Sequence, residues 1–239
     1  MSVNVLGVDF DNVTLSQAVS RALALLDRPG GYVVTPNAEI LLNTAHDAHA
    51  RLALTSADLI LPDGVSVVRA AKKLGRPLKE RVTGFDFAEA LMAACNGKRF
   101  YLLGAKEGVA RAAGRRLSRK YGIVIAGTQN GFYKDEAAVL EHIRECSPDV
   151  LFVCLGSPRQ EIFMLDNKSA LGGCLMIGLG GCLDIWSGKL KRAPKPFIAL
   201  MLEWLYRMLR QPSRFGRVLK LRRFYPAVNR QRKAEKKKC

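Results

Sequence analysis

The sequence lacks the local signatures of several common enzyme classes. It has no G-x-S-x-G motif, no Walker loop ending in Gly-Lys-Ser or Gly-Lys-Thr, and no G-x-G-x-x-G dinucleotide fingerprint. Its six cysteines form no C-x-x-C pair, and its three histidines, His46, His49 and His142, are not spaced as a ligand set. These absences argue against a serine hydrolase, a P-loop ATPase, a dinucleotide-dependent dehydrogenase and a zinc protein.

Long apolar runs are also scarce. No basic stretch followed by an apolar one opens the chain, so we expect no secretory leader. The longest apolar run, 197–209, contains Glu203 and is shorter than the roughly 20 residues that span a bilayer. Several cysteines lie in apolar runs, which is typical of free thiols in a reducing compartment. The sequence therefore predicts a cytoplasmic protein that lies on a membrane rather than crossing one.

What the chain has in excess is positive charge near its end. The formal net charge is +17. Residues 189–239 carry 17 Lys or Arg and 2 Asp or Glu, a net +15, whereas residues 1–188 carry only +2. Such a concentration indicates a surface for an anionic partner, such as phospholipid, a diphosphate or nucleic acid. For 233–238 alone, a solvated tail is the simpler interpretation.

Short apolar runs alternate with stretches of helical periodicity, which predicts an α/β fold. We expect a Rossmann-like, mostly parallel sheet with helices on both faces and a C-terminal helical, membrane-associating appendage. The one boundary falls near 189–196, giving a core of residues 1–190 and an appendage of residues 191–239. The predicted strands lie in 31–35, 58–62, 99–104, 122–127, 149–156 and 174–181, and the predicted helices include 16–26, 85–95, 107–121 and 136–145.

In such folds ligands bind outside the carboxyl ends of the strands, so polar residues in the following loops are candidates for chemistry. Thr35 and Asn37 stand at a helix start, where an N-cap and a ligand contact are equally good interpretations. Asp63 lies in a Pro-Asp-Gly turn, where it is either a turn residue or a general base. Arg81 either holds an anionic group or pairs with Glu80.

Glycine-rich loops follow other predicted strands. They contain Gly104, Gly156, Gly180 and Gly181, positions at which backbone N–H groups can approach a diphosphate. Tyr133 ends the turn 127–133, whose aromatic residues either stack on a nucleotide base or belong to the core. Asp9 and Asp11 form a D-x-D pair, but they lie far from the other loops, and we expect no metal there.

The C-terminal segment is basic and aromatic. Stretch 213–225 interleaves apolar and basic residues in the way that suits the headgroup plane of an anionic membrane. Two alternatives remain open: residues 197–209 pack on the core beside a merely solvated basic face, or the charge binds nucleic acid. No recognition motif accompanies the charge, so we expect no nucleic-acid partner. An apolar face at 197–209 that is not docked would favour a homo-oligomer.

Seven motifs together carry a resemblance to one family. They are Thr35-Pro-Asn-Ala-Glu, Leu61-Pro-Asp-Gly, Glu80-Arg-Val-Thr-Gly-Phe-Asp, Gly156-Ser-Pro-Arg-Gln-Glu, Gly178-Leu-Gly-Gly, Lys191-Arg-Ala-Pro-Lys and Glu203-Trp-Leu-Tyr-Arg. With these motifs the chain resembles the WecG/TagA/CpsF glycosyltransferases from about Val5 to Phe215. Ser66 and Arg159 depart modestly from the family pattern, where glycine and lysine are common.

The resemblance implies an inverting, metal-independent transferase without a cofactor. It implies a UDP-sugar donor, an undecaprenyl-diphosphate-linked acceptor and a place at the inner face of the cell membrane. Members of the TagA type join N-acetylmannosamine to N-acetylglucosamine in the linkage unit of wall teichoic acid, while other relatives use N-acetylmannosamine uronic acid or glucose. By position, Asp63 matches the proposed base, and further residues match pocket and appendage positions, namely Thr35, Asn37, Arg81, Gln160, Arg207, Arg214 and Arg217.

A hypothesis of another class is a non-catalytic adaptor that uses the basic tail to bind a membrane or nucleic acid. Affinity for UDP separates the two, because an adaptor would have none.

Overall fold

A computed structural model describes residues 1–28, 30–199, 205–206 and 221–237. Its centre is a six-stranded sheet in which each adjacent pair is parallel, with the strand order β4-β3-β8-β7-β5-β6. The strands are β3 (Tyr32–Val34), β4 (Leu59–Ile60), β5 (Arg99–Gly104), β6 (Val124–Gln129), β7 (Val150–Cys154) and β8 (Leu175–Gly178). All six predicted strands are thus confirmed.

Helices cover both faces of this sheet. They are α1 (Leu15–Leu25), α2 (Ala38–Asn43), α3 (Ala48–Thr55), α4 (Val65–Lys73), α5 (Gly84–Ala94), α6 (Val109–Tyr121), α7 (Glu136–Cys146), α8 (Arg159–Asp166), α9 (Cys182–Trp186), α10 (Lys195–Ala199) and α11 (Phe224–Lys236), with short 3-10 helices at Thr44–His46 and Leu221–Arg223. The four predicted helices are confirmed within two residues at each end. The Rossmann-like fold class is confirmed as well.

The protein has two hydrophobic cores, one on each face of the sheet, because successive side chains of a strand point to opposite faces. In β5, Phe100 and Leu102 point to one core, and Tyr101 and Leu103 to the other. All four are fully buried. A strand covered on both faces is apolar throughout rather than alternating, which is why these segments are recognisable as short continuous runs.

An antiparallel hairpin at the start of the chain was not predicted. It consists of β1 (Ser2–Val5) and β2 (Val8–Asp11), joined by Leu6-Gly7 with positive φ at both residues. This is the turn geometry that matches the twist of a two-residue hairpin. Asp11 at the end of β2 accepts the backbone N–H of Ile60 at 2.9 Å, which fixes the hairpin against β4.

The last helix, α11, packs on this hairpin. Phe224 and Val228 are buried in the same core as the hairpin valines. Gln231 accepts the N–H of Leu6 through Oε1 at 2.8 Å and donates through Nε2 to the carbonyl of Asn4 at 3.3 Å. Helix α11 therefore extends as far as Lys236 into the stretch predicted as a solvated tail, and Lys233, Lys236 and Lys237 are exposed.

Strand order places a crevice between β5 and β7. From β5 the chain continues outward to β6 at one edge, whereas from β7 it continues in the opposite direction to β8. Ligands in open α/β sheets bind where the connections diverge in this way, at the carboxyl ends of the strands. The loops that begin at Ala105 and Leu155 form the two sides of this crevice.

Candidate functional site

The loops after β3, β4 and β8 meet at the carboxyl edge of the sheet. Thr35 is buried and donates its hydroxyl proton to the carbonyl of Gly178 at 3.0 Å. A Cβ added to Gly84 would lie 2.8 Å from Thr35 Oγ1, and one added to Gly64 would lie 2.8 Å from Asn37 Cβ. These loops therefore pack so closely that glycine is required at both positions.

Asp63 and Arg81 form the charged centre of this edge. Arg81 Nε donates to the backbone carbonyl of Asp63 at 2.5 Å, and Arg81 Nη2 lies 3.6 Å from Asp63 Oδ1. The Asp63 side chain is 29% exposed and that of Arg81 17%, so the carboxylate is reachable from solvent while the guanidinium lies deeper. One side chain thus fixes both the backbone and the carboxylate of the proposed base.

Asn37 is the N-cap residue of α2. Its Oδ1 accepts the backbone N–H groups of Glu39 at 2.9 Å and Ile40 at 3.2 Å, which caps α2. The N-cap interpretation is confirmed for this oxygen. A ligand contact through the amide nitrogen stays a prediction, and the packing of Gly64 against Asn37 places that side chain beside Asp63.

Gln160 connects the edge to β8. Its Oε1 accepts the N–H of Gly180 at 2.9 Å, and its Nε2 donates to Glu161 Oε1 at 2.8 Å. Gln160 and Glu161 are buried almost completely, and burial raises the pKa of the Glu161 carboxyl. Because the two hydrogen bonds fix which end of the amide faces which partner, Gln160 holds the Gly180 loop in one position.

The glycine loops after β5 and β7 come together at the crevice. Gly104 has φ +136°, and a Cβ there would lie 2.3 Å from the carbonyl oxygen of Cys154. Gly131 packs against Gly104 and Leu155, since a Cβ on Gly131 would approach atoms of both to 3.2 Å. Of the predicted nucleotide-binding residues, Gly104 and Gly156 thus lie in facing loops, and Gln160 links them to Gly180 and its neighbour Gly181.

Arg159 and Tyr133 close one side of this crevice. Arg159 donates to the carbonyl of Gly131 at 2.6 Å, and its guanidinium carbon lies 4.6 Å from the centre of the Tyr133 ring. The phenol oxygen of Tyr133 donates to Glu136 at 3.3 Å. One face of Tyr133 is therefore occupied by a cation.

Arg192 was not singled out from the sequence, although it lies in one of the motifs that carry the resemblance. Arg192 Nη2 lies 2.5 Å from Asp86 Oδ1, and its guanidinium stacks 4.3 Å from the centre of the Phe85 ring. Thr83 caps α5 and donates to the other oxygen of Asp86 at 2.6 Å. These contacts tie the start of the predicted appendage to α5, whose first residue packs on Thr35.

The acidic pair near the N-terminus has other partners. Asp11 binds Arg21 at 2.6 Å in addition to the N–H of Ile60, and Asp9 accepts from Asn4 at 3.0 Å. Among residues 1–28, 30–199, 205–206 and 221–237, no group of three or more His, Cys, Asp or Glu side chains is arranged to hold a metal ion.

Arg207, Arg214 and Arg217 lie outside the described residues, so their predicted contacts with diphosphate stay predictions. The same holds for most of the apolar run 197–209, of which Phe197 and Tyr206 have ring centres 5.5 Å apart. Within the part of the chain that the structure describes, no helix is long and apolar enough to span a membrane.

An all-parallel sheet with polar side chains and glycine loops gathered at its carboxyl edge defines a Rossmann-like α/β protein with a candidate ligand site at that edge. The sequence model of the Glycosyl transferase WecG/TagA/CpsF family matches residues 3–238. The chain belongs to this family, which confirms the resemblance found in the motifs and makes the protein a glycosyltransferase.

Two relatives share the same name, N-acetylglucosaminyldiphosphoundecaprenol N-acetyl-beta-D-mannosaminyltransferase. The protein from Bacillus spizizenii (strain ATCC 23059 / NRRL B-14472 / W23) is 37% identical over 235 residues, which cover 96% of this chain and 91% of the relative. The protein from Bacillus subtilis (strain 168) is 35% identical over 210 residues, or 87% of this chain and 82% of the relative. This is the activity that the sequence led us to expect.

Proposed function

We propose that the protein transfers N-acetylmannosamine from UDP-N-acetylmannosamine to the 4-hydroxyl of N-acetylglucosamine-diphosphate-undecaprenol, with inversion at the anomeric carbon. The observation that carries the proposal is the geometry of Asp63, a partly exposed carboxylate at a strand end, held by Arg81 through both its backbone and its side chain. The names of the two relatives support this donor sugar and this acceptor.

Asp63 acts as the general base in this mechanism. Inverting transfer requires removal of the proton from the acceptor hydroxyl while that oxygen attacks the sugar from the face opposite the departing UDP. The new bond forms between the acceptor oxygen and the anomeric carbon, the bond to the β-phosphate oxygen breaks, and the proton passes to Asp63. Arg81 orients the carboxylate for this step, and the close packing of Gly64 on Asn37 fixes the turn that carries it.

Negative charge grows on the departing diphosphate, and the protein must stabilise it. Backbone N–H groups in the loops of Gly104, Gly156, Gly180 and Gly181 are one source of stabilisation. Gln160 supports that arrangement by holding Gly180 through its N–H group. Arg207, Arg214 and Arg217 are the second source, because guanidinium groups bind phosphate oxygens in pairs. The proposal requires neither a metal ion nor a cofactor.

The acceptor is tied to a lipid, so the protein works at a membrane surface. We place it on the cytoplasmic face, with the basic C-terminal segment against anionic headgroups. Since Arg192 and Asp86 join the start of that segment to the site, membrane contact and completion of the site are coupled.

The test is a transfer assay with one lipid-diphosphate acceptor and a panel of UDP-sugars. We expect product with UDP-N-acetylmannosamine and little with the N-acetylmannosamine uronic acid or glucose donors. A preference for either of the other two donors would agree with the family assignment but would mean that the proposed donor sugar is wrong. Absence of UDP affinity together with binding to anionic vesicles or duplex DNA would instead favour a non-catalytic adaptor.

A further inference from the structure

Helix α6 has a solvent-facing side that is made of basic residues. The helix contains no acidic residue, and its five basic residues, Arg111, Arg115, Arg116, Arg119 and Lys120, are all exposed. Residues 1–188 carry a net charge of only +2, so that range without α6 carries −3. The positive charge of the core is therefore concentrated on a single helix.

Three of these residues form a row along the helix, which we call the α6 row. Arg111, Arg115 and Arg119 follow one another at intervals of four residues, so they lie on one side of α6. Like charges at this spacing repel each other, and the helix dipole disfavours a cation in the first turn, where Arg111 lies. Within the described part of the chain no ion pair compensates the row, whereas Lys120 binds Glu89 at 3.0 Å. The charge of the row thus destabilises the helix that carries it, and an anionic partner outside the chain would offset that cost.

The basic side of α6 continues into the loop that leads to the appendage. Helix α6 packs against α9, and Gly188, just after α9, lies directly against the Arg116 guanidinium. The loop then runs through Lys189, Leu190 and Lys191, which are all exposed. An exposed leucine between two lysines is thus placed beside the basic helix.

We infer that the α6 row and the loop 189–191 together bind the anionic headgroups of a phospholipid bilayer, and so orient the core on the membrane. This inference rests on the proposed placement at a membrane and adds a surface of the core to the C-terminal segment. A bilayer with acidic lipids presents a plane of negative charge, which a row of cations on a rigid helix matches. Leu190 can enter the headgroup region while its lysine neighbours bind phosphates.

The acidic residues nearest to this surface do not oppose the contact. Glu89 is bound by Lys120, and Asp184 Oδ1 lies 4.0 Å from Lys189 Nζ. Nucleic acid would be attracted by the same charges, but it has no use for an exposed leucine, and no recognition motif accompanies the row. The observations therefore favour a lipid surface.

The position of α6 gives this contact a consequence for catalysis. The helix begins at Val109, directly after the loop that starts at Ala105 and forms one side of the crevice. A core bound through α6 keeps the crevice beside the membrane, where the sugar of a lipid-linked acceptor lies. Transfer to an acceptor embedded in a bilayer should therefore depend on the α6 row, whereas transfer to a water-soluble acceptor should not.

The experiment neutralises the row and compares it with an equal change elsewhere. The test variant is R111Q/R115Q/R119Q. The matched control is R69Q/K72Q/K73Q, which removes three exposed charges from α4, a helix that packs into the core on the opposite face of the sheet. In sedimentation with phosphatidylglycerol vesicles at low salt, we expect the test variant to bind roughly 10- to 100-fold more weakly and the control to change by less than about threefold.

Salt provides a second readout, because charges are screened beyond about 3 Å at 1 M ionic strength. The difference between the test variant and the wild type should disappear there. In the test variant, transfer to an acceptor in vesicles should fall, while transfer to a short-chain soluble acceptor stays normal. The melting midpoint should be unchanged or higher, since the substitutions remove repulsion between like charges.

Equal vesicle binding by the test variant and the wild type would overturn the inference. Equal losses in the test variant and the α4 control would also overturn it, because they would show that charge acts without orienting the core. Weaker binding of the test variant to duplex DNA, with vesicle binding unchanged, would assign the row to nucleic acid instead. If the wild type bound no phosphatidylglycerol vesicles, the proposed placement at a membrane would fail as well.

Discussion

Arg81 contacts Asp63 twice, donating from Nε to its backbone carbonyl at 2.5 Å and placing Nη2 3.6 Å from its carboxylate. A lysine carries one nitrogen on a flexible stem and lacks the rigid fork that makes these two contacts from two different nitrogens. The planar guanidinium therefore fixes the position of Asp63 in addition to supplying charge. The predictions for the proposed base begin from this arrangement.

Replacing Asp63 by Asn should remove the base without removing the binding site. We expect the transfer rate to fall roughly 10²- to 10⁴-fold, the range attributed to general base catalysis, with UDP affinity nearly unchanged. Steady-state transfer and calorimetric binding measure the two quantities. D9N is the matched control, because Asp9 lies on the hairpin, and it should retain full activity. Activity of D63N near that of the wild type would show that another group accepts the proton.

Arg81→Lys keeps the positive charge but loses one of the two contacts that Arg81 makes with Asp63. Hydrogen bonds to charged groups contribute about 1.5–3 kcal/mol, so we expect kcat to fall about 10- to 100-fold with the thermal midpoint little changed. The comparison with Arg81→Met separates charge from geometry. If R81K behaved like the wild type while R81M was inactive, charge alone would account for the role of Arg81.

Gly104→Ala should destabilise the whole domain, because the new Cβ would meet the Cys154 carbonyl at 2.3 Å and the φ of +136° disfavours a side chain. We expect a loss of about 3 kcal/mol, which lowers the midpoint of a chain this size by roughly 6–12 °C. Differential scanning calorimetry measures this change. Gly173, where an added Cβ would meet nothing within 4 Å, provides the control, and G173A should melt normally.

The buried Glu161 should make stability depend on pH. Burial raises the pKa of its carboxyl above the ordinary value of 4.5. Its contribution to folding is therefore complete below that value and is lost as pH rises through the higher folded-state pKa. E161Q keeps an acceptor for Gln160 Nε2 and cannot ionise. In denaturant titrations the wild type should lose stability relative to E161Q as pH rises above about 4.5, whereas a constant difference would show that Glu161 ionises freely.

Removal of divalent ions should leave transfer intact, because the proposal assigns the diphosphate charge to arginine side chains and backbone N–H groups. We expect dialysis against EDTA to change the initial rate by less than about twofold. Restoration of a lost rate by magnesium or manganese would contradict this prediction and direct attention to carboxylates, beginning with Asp184 beside the Gly181 loop. Addition of EDTA to a metal-dependent transferase in parallel verifies the chelation.

The features that could be predicted from the sequence are those that depend on residues close together along the chain. Strand β7 is a continuous apolar run ended by a glycine loop, and its pattern alone identifies a buried parallel strand. The position of Asn37 at a helix start made an N-cap one of its two interpretations, and the structure contains that cap. The pairing of Arg192 with Asp86 spans 106 residues, and no local pattern indicates it.

The residues of the candidate site could be predicted from the sequence, but the hydrogen bonds that hold them in place could not. Asp63 follows strand β4 and Gly104 is the last residue of β5, and the rule that ligands bind at strand ends selects both. The hydrogen bond from Gly180 to Gln160 depends on how β8 and α8 pack, which is a property of the folded chain. The hairpin of β1 and β2 was missed although Val3, Val5, Val8 and Phe10 alternate around the Leu6-Gly7 turn.

The docking of α11 on the first hairpin joins the two ends of the chain. Gln231 binds Leu6, the hairpin binds Ile60 through Asp11, and Asp63 stands three residues after Ile60. A deletion of the C-terminal residues would thus remove a brace from the strand that carries the proposed base, besides removing Arg207, Arg214 and Arg217. Loss of activity in such a truncated protein would have two causes at once. Separating these two causes requires single arginine substitutions in the full chain. A tag at either end must not disrupt the packing of α11 on the hairpin.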